Sequence, residues 1–183
     1  RELCPEAVVI RGNAGTYSRH SDEVTEIIKE QVPLFEKASI DEFYADLSGM
    51  DRFFGCYRYA SELRQRIIRE AGLPISFGLS VNKVVSKVAT GEAKPNNQLI
   101  VDSGYEKPFL APLSIKKIPM VGEKTYQTLR NLGLRQIKTL QEMPPDVVRR
   151  VLGANGTVIW KRANGIDNRA VVPFCARKSI STE

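Results

Sequence analysis

Ser39-Ile40-Asp41-Glu42-Phe43-Tyr44-Ala45-Asp46-Leu47 sets two adjacent carboxylates between two short runs of β-forming residues. Leu34 to Ile40 leads into the pair and Phe43 to Leu47 resumes the apolar character after it. Two antiparallel strands joined at or near Asp41-Glu42 are therefore expected. Carboxylates at a strand junction hold their oxygens rigidly, which suits a hard cation such as Mg²⁺ beside phosphate groups. As ordinary turn residues the same two side chains would be solvated and inert. Asp46, among apolar neighbours, fits a solvent-facing strand position.

Outward from this hairpin the pattern alternates helix and strand. Val24, Ile27, Ile28 and Val32 recur at helical spacing behind Ser21, a candidate N-cap, and His20 sits beside it as a solvated helix-entry residue. Ala60, Leu63, Ile67 and Ile68 mark one face of a helix over Tyr57 to Ala71, ended by Gly72 and Pro74. Ile75 to Val81 alternates as a strand, Asn82 caps a helix carrying Val84, Val85 and Val88, and Gln98 to Asp102 reads as a last strand. The fold class expected is α+β, with helices on one face of an antiparallel sheet. Beyond Pro112 the strands stop. Short helices follow over Glu123 to Leu132, Thr139 to Met143, Pro145 to Leu152 and Thr157 to Asn164, with no strand signal before Val171-Val172. A domain boundary is expected near Lys107 to Ser114.

The 183 residues are 42% hydrophobic and 26% charged, enough for one sizeable core or two small ones. No run approaches the ~18 apolar residues of a membrane span, and Arg1-Glu2-Leu3-Cys4-Pro5 lacks the apolar region of a secretory signal. A cytoplasmic protein without a membrane partner is expected, and the non-Met start suggests that residues upstream of Arg1 are missing. Three scattered cysteines argue against a disulfide framework or structural zinc, and His20 is the one histidine, which leaves little for imidazole-based chemistry. The formal net charge of +6 is unevenly spread. Residues 1–113 hold 14 Lys and Arg against 16 Asp and Glu, while residues 114–178 hold 13 against 4. That asymmetry suggests that the second half meets a polyanion, although a basic solvated surface would look the same.

Two further stretches carry chemistry. In Ser80-Val81-Asn82-Lys83 and Ala93-Lys94-Pro95-Asn96, Lys83 and Lys87 lie one turn apart on a helix, and Pro95 holds Lys94 extended so that its ammonium projects towards a phosphate. Plain surface lysines are the alternative. Ile118-Pro119-Met120-Val121-Gly122-Glu123-Lys124-Thr125 reads as a helix-hairpin-helix, a tight turn whose backbone N–H groups, with Lys124, face a phosphate. Val121, Gly122, Lys124 and Thr125 are the candidate DNA contacts, joined by Lys83 and Lys87, and such a grip is sequence-independent and salt-sensitive. A simple αα corner is the alternative.

Taken in order, Ser39 to Leu47, Phe77-Gly78-Leu79-Ser80-Val81-Asn82-Lys83, Ala93 to Asn96, the hairpin at Pro119 to Gly122, and Arg177-Lys178-Ser179-Ile180-Ser181 resemble the Y-family, translesion DNA polymerases. The resemblance implies a ferredoxin-like antiparallel palm over residues 1–112, incomplete at its N-terminus, a small all-α thumb over 113–172, and a tether over 173–183 to a further domain. It implies that Asp41 and Glu42 are two of three catalytic carboxylates binding two Mg²⁺ ions, that Lys94 contacts the nucleotide phosphates, and that the partners are primer-template DNA and a deoxynucleoside triphosphate. A sliding clamp reached through regions beyond this chain is a further implied partner, and nucleoid association follows for a bacterial protein. The third carboxylate and the fingers would precede Arg1, so the isolated chain is expected not to polymerise DNA. Met120 and Asn97 stand where the family more often has Gly. A non-catalytic helix-hairpin-helix DNA-binding module is the competing reading.

Overall fold

The structure, a computed structural model, describes residues 2–50 and 55–173. The first helix, α1 (Ala14–Gln31), starts eight residues earlier than the sequence suggests, because Asn13 and not Ser21 caps it: Asn13 Oδ1 accepts the Thr16 N–H at 3.2 Å. Ser21 lies inside the helix with Val24, Ile27 and Ile28 on the buried face. His20 is likewise mid-helix, its Nδ1 3.0 Å from Glu23 Oε2.

Strands β1 (Phe35–Lys37) and β2 (Phe43–Ala45) pair antiparallel with Phe35 opposite Ala45, as the alternation around the acidic pair requires. The turn is closed by the N–H groups of Ala38 and Ser39, both donating to Glu42 O. Asp46 ends the hairpin: its Oδ1 accepts the Ser48 N–H at 2.9 Å, and the hydrogen bonds from Ser48 hold its pKa below the usual carboxylate value. That is a turn-forming role. Helix α2 (Cys56–Ala71) stops where Gly72 adopts a left-handed φ of 66°.

Strands β3 (Phe77–Leu79) and β4 (Gln98–Ile100) flank α3 (Lys83–Ala93), whose cap is as expected, with Asn82 accepting from Val85 N–H at 3.0 Å. Here the expected all-antiparallel sheet is corrected. β3 and β4 run parallel, with Gly78 opposite Leu99, and the described strands form two separate two-stranded sheets. A helix between two strands carries the chain back to the starting end, so the second strand enters in the same direction as the first. The α3 backbone presses directly on β3: a Cβ at Gly78 would stand 2.4 Å from Ser86 O.

Short helices α4 (Glu106–Leu110), α5 (Glu123–Asn131), α6 (Ile137–Glu142), α7 (Pro145–Leu152) and α8 (Ala154–Ala163) follow, with a 3₁₀ turn at Ile115–Lys117 between α4 and α5. Val171-Val172 forms no strand. Two hydrophobic clusters hold the molecule. One joins α1, α2 and the hairpin through Val24, Ile28, Val32 and Ile67. The other runs from Val85 and Val88 of α3 through Ile115, Leu129 and Leu140 to Ile159, crossing the boundary expected near residues 107–114. The architecture is a mixed α/β one, with small sheets and several helices. Arg177–Ser181, and all of the 173–183 tether but its first residue, lie outside the described residues.

Candidate functional site

The two acids take different partners. Asp41 is exposed on the turn, and its Oδ1 accepts Ser39 Oγ–H at 2.6 Å. The carboxylate of Glu42 is gripped by Lys87, whose Nζ lies 2.6 Å from both oxygens. One turn earlier on α3, Lys83 donates to Glu36 of β1. The helix and the acidic hairpin are thus joined by two ion pairs. Among the described residues, no group of three or more His, Cys, Asp or Glu is placed to hold a metal ion.

Burial separates the two lysines. Lys83, expected at the surface, is 8% exposed, lies over the Tyr44 ring at 5.2 Å and is paired with Glu36. Lys87 remains 41% exposed, though engaged. Lys94 keeps the extended backbone that Pro95 imposes, φ −71° and ψ 144°, is exposed, and pairs with no carboxylate among the described residues. The loop after it is anchored by Arg64, buried on α2, which donates to Ile75 O and to both Asn96 O and Asn96 Oδ1 at 2.6–2.9 Å. Arg64 escapes a sequence reading because it stands on a helix among other charged residues, and its partners are 11 and 32 positions away.

The hairpin at Pro119 to Gly122 opens α5 without any side-chain cap. Its first N–H groups therefore depend on other partners. Gly122 and Lys124 are exposed and Thr125 is half-buried, but the Val121 side chain is core, 7% exposed, and its backbone N–H already donates to Ile118 O at 3.0 Å. Met120 has φ 78°, in the left-handed region that favours glycine, which explains why Gly suits this position better. Arg162 of α8 supports the turn by donating to Pro119 O at 2.9 Å, and burial lowers its pKa from the usual arginine value. A second residue that the sequence hides, this one a carboxylate, is Glu36. Burial alone would raise its pKa, but hydrogen bonds from Lys83 and the Val172 N–H, with the charges of Lys83 and Arg169, hold it below the ordinary glutamate value.

A strand-borne acidic hairpin is thus clasped by a lysine-bearing helix and followed by a helical half whose α5 opens at Gly122. Residues 1–91 match the impB/mucB/samB family. The DNA polymerase IV of Dehalococcoides mccartyi is 38% identical over all of this chain and 47% of its own length, and that of Shewanella amazonensis is 36% identical over all of this chain and 52% of its own length. Among solved structures, DinB from Sulfolobus solfataricus superposes with a TM-score of 0.80 at 22% identity, covering 93% of this chain and 51% of that one. The Dbh DNA polymerase in its insertion ternary complex also gives 0.80 at 22% identity, with 93% and 50% covered. The chain belongs to the Y family of DNA polymerases. The curated relatives named here are DNA polymerase IV proteins, and the chain spans about half of their length.

Proposed function

We propose that the chain forms the palm and thumb of a translesion DNA polymerase, in which template-directed nucleotidyl transfer past damaged bases is performed by the longer protein. The alignment of the whole chain with curated DNA polymerase IV proteins at 36–38% identity carries this reading. Asp41 and Glu42 are the metal-binding carboxylates. Their hard oxygen donors fit Mg²⁺, and the ammonium of Lys87 against both oxygens of Glu42 marks that carboxylate as a cation acceptor. Bound Mg²⁺ ions would lower the pKa of the primer 3′-hydroxyl and neutralise the triphosphate. Lys94, exposed and held extended, contacts the incoming nucleotide's phosphates. Gly122, Lys124 and Thr125 grip the duplex backbone at the helix-hairpin-helix, with Val121 closing the turn by donating its N–H to Ile118 O and Lys87 on the hairpin side. Primer-template DNA and a deoxynucleoside triphosphate are the partners, a clamp would be reached through other regions, and a cytoplasmic, nucleoid-associated location follows.

The test uses the longer protein with a primer-template, nucleotides and Mg²⁺. Replacing Asp41 and Glu42 by Ala should abolish primer extension while duplex affinity stays within about twofold, since sequence-independent binding rests on phosphate contacts. Extension at the parental rate would favour a non-catalytic DNA-binding module. This chain by itself should give no extension, and turnover by it would refute the division of labour.

A further inference from the structure

Glu36 lies five residues before Asp41, outside every motif, yet three distant parts of the chain meet at its carboxylate. Lys83, at the start of α3, donates its ammonium to Glu36 Oε2. The same oxygen accepts the backbone N–H of Val172 at 2.8 Å, across 136 positions of sequence. Lys83 is enclosed under the Tyr44 ring, so the cation is shared between both hairpin strands. The chain leaving α8 is tied down on the same side. Asn82 Nδ2 donates to Gly165 O at 2.8 Å, and Asp167, its side chain 6% exposed, accepts both Nε and Nη2 of Arg169 at 2.8 Å. The charge of Arg169 acts on Tyr44 and on Glu36.

We propose that Glu36 is a positioning residue: by accepting Lys83 and the Val172 N–H together, it registers residues 165–173 against the β1–β2 hairpin, so that the acidic turn and the helical half keep one orientation. The two hydrophobic clusters share no buried residue, and apolar contact is non-directional. A charge-assisted hydrogen bond has a preferred geometry, and one acceptor oxygen serving donors from two segments fixes both relative to the strand. The role holds whatever chemistry the hairpin performs.

The test is residue-resolved amide hydrogen exchange, by NMR, on the chain and two variants. In Glu36→Gln the amides of Val172, and of Ala38 and Ser39 that close the hairpin, should exchange about tenfold faster, while amides in α5–α8 keep their rates. Val172→Pro removes the donor from the far side and alters nothing in the hairpin. It should speed Ala38 and Ser39 to a similar extent and shift their resonances, which a contact serving the post-α8 segment alone would not do. Hairpin amides unchanged in Val172→Pro would overturn the proposal, and so would a uniform rise through α5–α8 in both variants. Because Glu36→Gln leaves Lys83 buried without its counter-charge, Glu36→Gln/Lys83→Met supplies a further arm. It keeps an amide oxygen for Val172 and removes the stranded cation, so protection at Val172 should return in part; no recovery would also overturn the proposal.

Discussion

Replacing Gly78 by Ala tests the closest backbone approach in the sheet half of the molecule. The added Cβ would meet Ser86 O at 2.4 Å, Thr90 N at 2.5 Å and Ala89 Cβ at 2.6 Å. Two of these atoms belong to the α3 backbone, which cannot swing aside as the tip of a side chain can. Non-bonded carbons rest at about 3.5–4.0 Å, so α3 would have to retreat by about 1 Å from β3. Val85, Val88 and Ala89, 0–4% exposed, would then lose contact with the second cluster. Overpacking of this kind costs roughly 1–3 kcal/mol, and with rigid backbone on one side we expect about 3 kcal/mol. Gly91, also on α3, is the internal control, because nothing lies within 4 Å of its would-be Cβ. There, removing a helical glycine should stabilise by about 0.5–1 kcal/mol. In urea unfolding followed by far-UV circular dichroism, with a slope of about 2 kcal/mol/M, the midpoint should fall by about 1.5 M for Gly78→Ala and rise by about 0.3–0.5 M for Gly91→Ala. A Gly78→Ala midpoint within about 0.3 M of the parent, at unchanged slope, would refute the packing argument.

Other perturbations follow the same logic. The Glu36 carboxyl titrates below the ordinary value of 4.5, so its stabilisation is complete above that pH and disappears as pH falls through the lower folded value. Glu36→Gln should therefore flatten the acid side of the stability–pH curve below pH 4.5 and leave its slope near neutrality unchanged, as thermal melts across pH would record. Met120→Gly should relieve about 1–2 kcal/mol of left-handed strain but add back about 0.5–1 kcal/mol of chain entropy, giving a net gain of about 0–1.5 kcal/mol in chemical unfolding. Lys124→Ala should weaken duplex binding to a similar degree on unrelated sequences and reduce the slope of log affinity against log salt by about 1, measurable by fluorescence anisotropy.

Much of the local structure is written in nearest-neighbour chemistry. The hairpin follows from alternation on either side of Asp41-Glu42, the Asn82 cap from a side chain that reaches an N–H three residues on, and the ends of α2 and α5 from Gly72 and Gly133 in left-handed conformations. The order of the motifs likewise marks the family, because each motif is a short stretch whose residues act together. The start of α1 shows the limit even at short range. Asn13 and Ser21 are both competent caps, and the choice falls to Asn13 because the helix's buried face extends back to include Ser21.

What only the tertiary structure decides are the pairings between residues far apart in sequence. Glu42 with Lys87, Glu36 with Lys83, and Arg64 with Asn96 are 45, 47 and 32 positions apart, and no local pattern selects one charged partner over another. Those choices arise when α3 docks on β3 at Gly78 and carries its lysines to the hairpin, which buries Lys83 and leaves Lys87 at the surface. The direction of β4 is of the same kind. Alternating residues specify a strand in either sense, and the α3 crossover alone makes it parallel. Local sequence sets which elements form, because propensity and capping act within a few residues; which carboxylate meets which cation is set by the packing of those elements, because burial and charge pairing act through space.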